Sequence, residues 1–185
     1  MNKKACKILP ISCLCSIYFN TEINDFVLAI DSLLIQDYKP EEIIIIVDGL
    51  VSKDIFKFIN YLKNYSIFKI YFLEKNEGLG NALKLGLTKC KNNLVARFDT
   101  DDINLKGRLK IQYDLFKKIP NASIIGSNII EYKNLNTKEK YIIKKVPIKL
   151  NSIKNYSIYR NPINHPTVIF KKNEIINLGS YRNIK

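Results

Sequence analysis

The chain has 185 residues, of which 46% are hydrophobic and 25% charged, so it can bury the core of one domain and is not a disordered chain. Its formal net charge is +13, with the lysines spread along the chain rather than gathered in a basic arm. This distribution, in a sequence without a nucleic-acid-binding signature, argues against nucleic acid as the partner. It leaves a weak attraction to anionic membrane as a by-product of composition.

The N-terminal segment has two interpretations. Lys3, Lys4 and Lys7 accompany the apolar stretch 8–19, an arrangement similar to a short export signal. Pro10 and Ser12 interrupt this stretch, and it leads directly into a further structured pattern. We therefore expect the first buried strand of a cytoplasmic protein, with export as the alternative. The cysteines Cys6, Cys13, Cys15 and Cys90 lack disulfide or zinc-site spacing and are expected to be reduced thiols.

Strand-like and helix-like patterns alternate along the first two thirds of the chain. Continuous apolar runs predict strands at 11–19, 42–47, 68–73 and 94–98, because strands covered on both faces are apolar throughout. Helical spacing predicts helices that begin at Asn24 or Asp25 and at Ser52, and helices over 79–89 and 105–119. Beyond Pro120, strands are predicted at 122–132, 141–146 and 167–171. The order predicts an α/β fold with a mostly parallel sheet.

Polar residues follow three of these strands, at the edge where parallel sheets bind ligands. They are Asn20-Thr21, Asp48-Gly49 and the cluster Arg97-Phe98-Asp99-Thr100-Asp101-Asp102. In an extended segment Asp99 and Asp101 point to the same side, so they can converge on a hard cation such as Mg²⁺ or Mn²⁺. The alternative is that Asp102 or Asn104 caps the next helix while the other aspartates stay in solvent.

Two loops allow both a functional and a structural interpretation. The segment Asn76-Glu77-Gly78-Leu79-Gly80 precedes a helix, where backbone amides can approach a phosphate or can simply form a tight turn. His165, the only histidine, lies in the segment Asn161-Pro162-Ile163-Asn164-His165-Pro166. Its imidazole could bind an anion, a metal or an acceptor hydroxyl, or it could be structural.

Taken together, these segments resemble a known family. The resemblance rests on 17–20, 36–43, Val47-Asp48-Gly49, 76–83, 96–102 and 161–168, in that order over nearly the whole chain. It is to the bacterial family 2 glycosyltransferases that build capsule, O-antigen and lipooligosaccharide sugars. It implies a Rossmann-like GT-A fold, with a donor-binding region at 1–120 and a partial acceptor-side region at 121–185. It also implies inverting transfer from a nucleotide-sugar, usually a UDP-sugar, to a glycan or lipid-linked acceptor.

The resemblance also implies roles for individual residues. Asp48 would hydrogen-bond the uracil, and Asn20 would lie beside the nucleotide. Asp99 would face the ribose or donor sugar, and Asp101, with Asp99 alongside, would hold the Mn²⁺ or Mg²⁺ that bridges the diphosphate. Arg97 and Asp102 would support this cluster, and His165 would lie on the acceptor side.

The chain departs from the family pattern at its C-terminal end. In the family a Glu-Asp pair follows the segment that corresponds to Gly179-Ser180-Tyr181 and supplies the general base, whereas this sequence ends first. We therefore expect a C-terminally truncated glycosyltransferase that lies in the cytoplasm or at the inner face of the membrane. The alternatives are a nucleotide-sugar-binding remnant that does not transfer, and a basic module that binds nucleic acid or membrane.

Overall fold

The computed structural model describes residues 7–132 and 141–182. This part of the chain contains eight strands and six α-helices. The strands are Lys7–Ile17 (β1), Tyr38–Asp48 (β2), Phe68–Leu73 (β3), Leu94–Arg97 (β4), Ile124–Ile125 (β5), Ile129–Tyr132 (β6), Tyr141–Lys144 (β7) and Ile169–Lys171 (β8). The helices are Ile23–Leu34 (α1), Lys53–Leu62 (α2), Leu79–Lys89 (α3), Arg108–Lys118 (α4), Leu150–Ser157 (α5) and Lys172–Asn177 (α6).

Six strands form one sheet in the order β3-β2-β1-β4-β8-β5, and β6 and β7 form a separate antiparallel pair. The strands β1 to β4 are parallel to one another, whereas β8 runs antiparallel to both β4 and β5. The predicted α/β fold with a mostly parallel sheet is confirmed. The segment after residue 120 adds β5 and β8 to the same sheet, so both predicted regions share it.

The four isoleucines of β2 show why its sequence is apolar throughout. Ile43 and Ile45 pack with the buried faces of α1, α2 and α4, whereas Ile44 and Ile46 pack with α3 on the other side of the sheet. All four have 0% of their surface exposed. Helices therefore cover both faces of the sheet, and no polar face is left for this strand to present to water.

Several predicted boundaries are wrong for local reasons. Helix α1 begins at Ile23 without a side-chain cap, so neither Asn24 nor Asp25 caps it. Helix α4 begins at Arg108 behind Gly107, so the predicted capping by Asp102 or Asn104 is also wrong. The cap at Ser52 is confirmed, because its hydroxyl accepts a hydrogen bond from the Ile55 amide at 3.3 Å. Helices α5 and α6 were not predicted.

The predicted strand 122–132 is divided into β5 and β6, which belong to different sheets. The Ser127 amide, between them, donates a hydrogen bond to Thr167 Oγ1 at 2.9 Å and leaves the strand ladder. Thr167 itself closes a 3-10 turn, His165–Thr167, rather than opening the last predicted strand. Long-range side-chain contacts thus set these boundaries.

The N-terminal stretch is a strand inside the sheet, since β1 pairs with β2 on one side and β4 on the other. Cys13, Cys15 and Cys90 are free thiols in the core, as predicted, and Cys6 lies outside the described residues. Burial raises the pKa of Cys13 and of Cys90 to about 12, so these thiols are not ionised at neutral pH. Within 7–132 and 141–182, no helix is long and apolar enough to cross a bilayer.

Candidate active site

A cleft of about 590 Å³ opens at the carboxyl edge of the sheet, where β1, β2 and β4 end. Five predicted site residues line it: Asn20, Asp48, Arg97, Asp99 and Asp101. The predicted residues Asp102 and His165 do not belong to its lining. Its volume lies in the range of small-molecule sites, and its position is the one at which open α/β sheets bind ligands.

Asp48 fixes the turn that begins α3. Its carboxylate is 2% exposed and accepts hydrogen bonds from the amides of Glu77 at 2.7 Å and Gly78 at 3.0 Å. Gly49 allows this close approach, because it has φ +81° and an added Cβ would lie 2.5 Å from the Asn76 nitrogen. Two amides of the glycine segment are thus committed to Asp48, which favours the tight-turn interpretation of that loop.

The acidic segment is a turn and not an extended strand end. The Asp102 amide donates to the Asp99 carbonyl at 3.4 Å, so the predicted alternation of Asp99 and Asp101 on an extended segment is wrong. Both side chains nevertheless line the same cleft. Burial raises the pKa of Asp102, and the charges of Asp101 and Asp99 raise it further. Negative charge is therefore concentrated here, and a bound cation would relieve the repulsion.

Arg97 is the buried partner of this turn. Its side chain is 1% exposed and donates hydrogen bonds to the Leu14 carbonyl at 3.2 Å, to the Phe98 carbonyl and to Asp99 Oδ1. Its Nε is buried without a partner among the described residues. The guanidinium orients Asp99 and occupies one of its oxygens, so the second carboxylate oxygen is the one available to a ligand.

A polar cluster beneath the acidic turn was not predicted. Gln36 is 2% exposed; its Nε2 donates to the carbonyls of Ser32 at 2.9 Å, Leu105 at 3.2 Å and Asn104 at 3.3 Å. Its Oε1 accepts from the Gly107 amide at 3.0 Å. Ser32 Oγ accepts from both the amide and the Nδ2 of Asn104, each at 3.0 Å. This cluster, Ser32, Gln36 and Asn104, ties the loop after Asp102 to α1.

The sequence contained one signal for this cluster. Ser32 lies on the side of α1 that also carries the buried Ala29 and Leu33, and Gln36 follows two residues after the helix ends at Leu34. Buried polar side chains at and just after an apolar helix face must find hydrogen-bond partners in the core. Which loop would supply those partners was not encoded locally.

Arg108 ties the site to the last third of the chain. Its Nη2 donates to the Arg97 carbonyl at 2.7 Å and to the Val168 carbonyl at 3.4 Å, and its Nε to Gln112 Oε1 at 3.1 Å. Burial lowers its pKa to about 10, so it remains charged at neutral pH. Gln112 donates in turn to the carbonyls of Ile125 and Thr167, both at 2.9 Å.

His165 contacts Tyr181 and is within range of the charges of Arg97 and Asp99. Its Nε2 is 3.3 Å from the Tyr181 hydroxyl, with the ring centroids 5.8 Å apart. Burial lowers the pKa of His165, the charge of Arg97 lowers it further, and Asp99 acts in the opposite direction. The imidazole is therefore neutral at pH 7. Tyr181, which was not predicted, has its pKa raised to about 12, chiefly by burial.

Few side chains in the cleft could act as metal ligands. Within the described ranges, 7–132 and 141–182, no group of three or more His, Cys, Asp or Glu side chains is arranged to hold a metal ion. The cleft instead offers the exposed Asp101 and the second oxygen of Asp99. One or two carboxylates completed by water and phosphate oxygens are the usual shell of Mg²⁺, so these two residues fit a cation that arrives with a diphosphate.

Solved glycosyltransferase structures share this architecture. The Staphylococcus aureus TarS 1–349 structure in complex with UDP-GlcNAc has a TM-score of 0.71 and 18% identity, covering 95% of this chain and 49% of TarS 1–349. Mannosyltransferase PcManGT from Pyrobaculum calidifontis, in complex with GDP-Man and Mn²⁺, has a TM-score of 0.67 and 13% identity, over 94% of this chain and 47% of that one. The fold is therefore GT-A, as the resemblance implied.

The model of Glycosyl transferase family 2 matches residues 15–175, and the chain belongs to this family. It is 43% identical to UDP-Gal:alpha-D-GlcNAc-diphosphoundecaprenol beta-1,3-galactosyltransferase of Escherichia coli, over 84% of the chain and 56% of that relative. It is 35% identical to amylovoran biosynthesis glycosyltransferase AmsE of Erwinia amylovora, over 92% of the chain and 63% of AmsE. The chain thus spans between half and two thirds of the length of these relatives.

Proposed function

We propose that this chain forms the donor-binding part of a glycosyltransferase that transfers a sugar from a UDP-sugar in bacterial surface-polysaccharide assembly. The observation that carries the proposal is the convergence of Asn20, Asp48, Arg97, Asp99 and Asp101 on one cleft at the ends of three parallel strands. The names of a relative that uses UDP-Gal and of TarS complexes with UDP-GlcNAc and UDP support the choice of donor. Residues 1–120 would hold the donor, and 121–185 would begin the acceptor side.

The geometry of the cleft supports the roles that the resemblance implies for the nucleotide contacts. Each carboxylate oxygen has more than one acceptor direction, so Asp48 can hold the Glu77 and Gly78 amides and still accept from a uracil N–H. Asn20 is exposed at the end of β1, where its amide would lie beside the nucleotide. Asp99, oriented by Arg97, would present its second oxygen to the ribose or the donor sugar.

Asp101 and Asp99 would hold a Mn²⁺ or Mg²⁺ ion. When bound, such a cation supplies positive charge that neutralises a departing diphosphate. Arg97 would orient Asp99 through its hydrogen bond, and Asp102 would add negative charge near Asp99 and Asp101. The presence of Mn²⁺ in the PcManGT complex supports this assignment.

A donor-binding chain that does not transfer is the second candidate. The carboxylates that line the described cleft are Glu22, Asp25, Asp48, Asp99 and Asp101, all from the donor side of the sequence. An inverting transfer needs a base within hydrogen-bonding distance of the acceptor hydroxyl. His165 would contact the acceptor, which we propose to be a glycan or a lipid-linked sugar at the cytoplasmic face of the membrane.

Calorimetric titration with UDP, with and without Mn²⁺, tests donor binding. We expect binding that Mn²⁺ strengthens, and folded protein that shows no metal-enhanced binding would contradict the proposal. Transfer and donor-hydrolysis assays with UDP-sugars then separate the two candidates. An active transferase produces UDP from the UDP-sugar when acceptor is present. A non-transferring chain binds UDP but produces none from the UDP-sugar.

A further inference from the structure

The segment 141–160, which contains β7 and α5, has an unusual composition for an exposed surface. It contains five basic residues and no acidic residue; the basic residues are Lys144, Lys145, Lys149, Lys154 and Arg160. All of its residues are exposed except Val146, Pro147 and Ile153, which are half-buried. We call these residues the basic-apolar surface.

Large apolar side chains stand among these cations. The exposed fractions are 69% for Ile142, 88% for Ile148, 66% for Leu150, 73% for Ile158 and 85% for Tyr159. Helix α5 buries none of its residues against the described part of the protein. Exposed apolar side chains this frequent along one segment indicate an interaction surface, since isolated ones are common but many together are costly in water.

The β7 end of the basic-apolar surface adjoins the edge of the sheet that carries the cleft. Strands β4 and β5 both run antiparallel to β8, so β5 ends at the same edge as β4 and leads into the β6-β7 pair. Asn164 Nδ2 donates to the Ser127 carbonyl at 3.1 Å, and the Val146 amide donates to Asn128 Oδ1 at 3.0 Å. These contacts join the pair of strands to the loop that carries His165.

Charge and polarity together select one kind of partner. A second copy of the same surface would place five cations against five cations, and such like-charge contacts are unfavourable. Nucleic acid would use the cations but would leave Ile148, Leu150 and Ile158 without an apolar partner. An anionic bilayer provides both, because its headgroups attract Lys and Arg while its interface takes up aliphatic and aromatic side chains.

We propose that the basic-apolar surface, residues 141–160, binds the anionic lipid surface of a membrane. The functional meaning rests on the proposed glycosyltransferase activity: a lipid-linked acceptor in that membrane would then lie beside the carboxyl edge of the sheet, where the donor cleft opens. The name of one relative includes a diphosphoundecaprenol-linked sugar as acceptor. Such an acceptor is held in a membrane, which supports this arrangement.

Vesicle co-sedimentation tests the proposal with the chain as it is. We expect binding to mixed phosphatidylglycerol and phosphatidylcholine vesicles and little binding to pure phosphatidylcholine. Replacing Lys145, Lys149 and Lys154 by Gln should weaken binding roughly tenfold or more, because each surface cation near anionic lipid contributes. The matched control replaces the exposed Lys53, Lys84 and Lys118 by Gln, lowers the net charge equally, and should change binding less than about twofold.

A second pair of variants tests the apolar contribution. The double variant Ile148→Ser, Ile158→Ser should reduce binding to anionic vesicles at high salt. The control double variant Ile35→Ser, Leu178→Ser, at sites 68% and 75% exposed, should not. Absence of binding to anionic vesicles, or equal losses in variants and controls, would overturn the proposal. So would a dimer that Ile148→Ser dissociates. UDP titration of the same samples reports separately on the proposed function, so the two failures are distinguishable.

Discussion

The two parts of the chain hold together by different means. Up to residue 118, the helices bury apolar side chains against the sheet; α1 buries five residues and α3 buries four. In the last third, α5 and α6 bury none. The part up to residue 118 therefore supplies most of the core, whereas the remainder joins it through the buried β8 segment, residues 168–170, and through polar anchors.

Gln112 and Arg108 provide these anchors. Gln112 holds the carbonyls of Ile125 and Thr167, and Arg108 holds the carbonyls of Arg97 and Val168. Both belong to α4, which packs on the core through Leu109 and Phe116. These contacts hold β5 and β8 against the core, whereas α5 buries no residue and leaves its side chains exposed.

The largest expected effect comes from the core of the donor side. Ile45→Ala removes a fully buried side chain between β2 and the helices and should lower the free energy of unfolding by about 2–5 kcal/mol. Ile142→Ala, at a site 69% exposed in β7, should change it by less than about 0.5 kcal/mol. Urea unfolding monitored by circular dichroism measures both. Equal losses would contradict the division between a packed and a weakly packed part.

Sequence patterns predicted the elements that the core determines. The bounds of β3 and α3 were predicted correctly, because continuous apolar runs and helical spacing record burial directly. The acidic turn was not predicted correctly, and the loop that follows it is held by Gln36, which is distant in sequence. Helix α5 was missed because it has no buried stripe for the spacing to reveal.

The five predicted residues that share the cleft could be found because each lies at or just after the end of a predicted strand. The parallel order brings those strand ends together, so topology alone predicts that they converge. Ser32, Gln36 and Tyr181 could not be placed in this way, since their contacts cross between elements that no local pattern connects.

Two buried glutamines offer an intermediate test of the comparison. Gln36→Leu leaves the Gly107 amide without its partner, and Gln112→Leu does the same to two carbonyls of the last third. Each should cost about 1–3 kcal/mol. Hydrogen exchange should rise at 104–107 for the first variant and at 124–125 and 167–170 for the second. The opposite pattern would show that these residues do not anchor separate parts.

A smaller effect is expected from pH. Burial and Arg97 lower the pKa of His165 below its ordinary value of 6.5, so the unfolded chain binds a proton that the folded chain excludes. Stability should therefore fall as pH decreases through 6.5 toward the lower folded pKa. His165→Asn should flatten this slope, as measured by urea unfolding at several pH values. An unchanged slope in the variant would assign the dependence to other groups.

The metal-dependent part of UDP binding tests the central claim most directly. Calorimetry should show that Mn²⁺ strengthens UDP binding to the native chain and that Asp101→Asn removes most of this gain without changing stability. Asp54→Asn, an exposed aspartate in the first turn of α2, is the matched control and should retain the gain. If Asp101→Asn and Asp54→Asn bind UDP and Mn²⁺ equally well, the cleft does not hold a metal-bound nucleotide through Asp101.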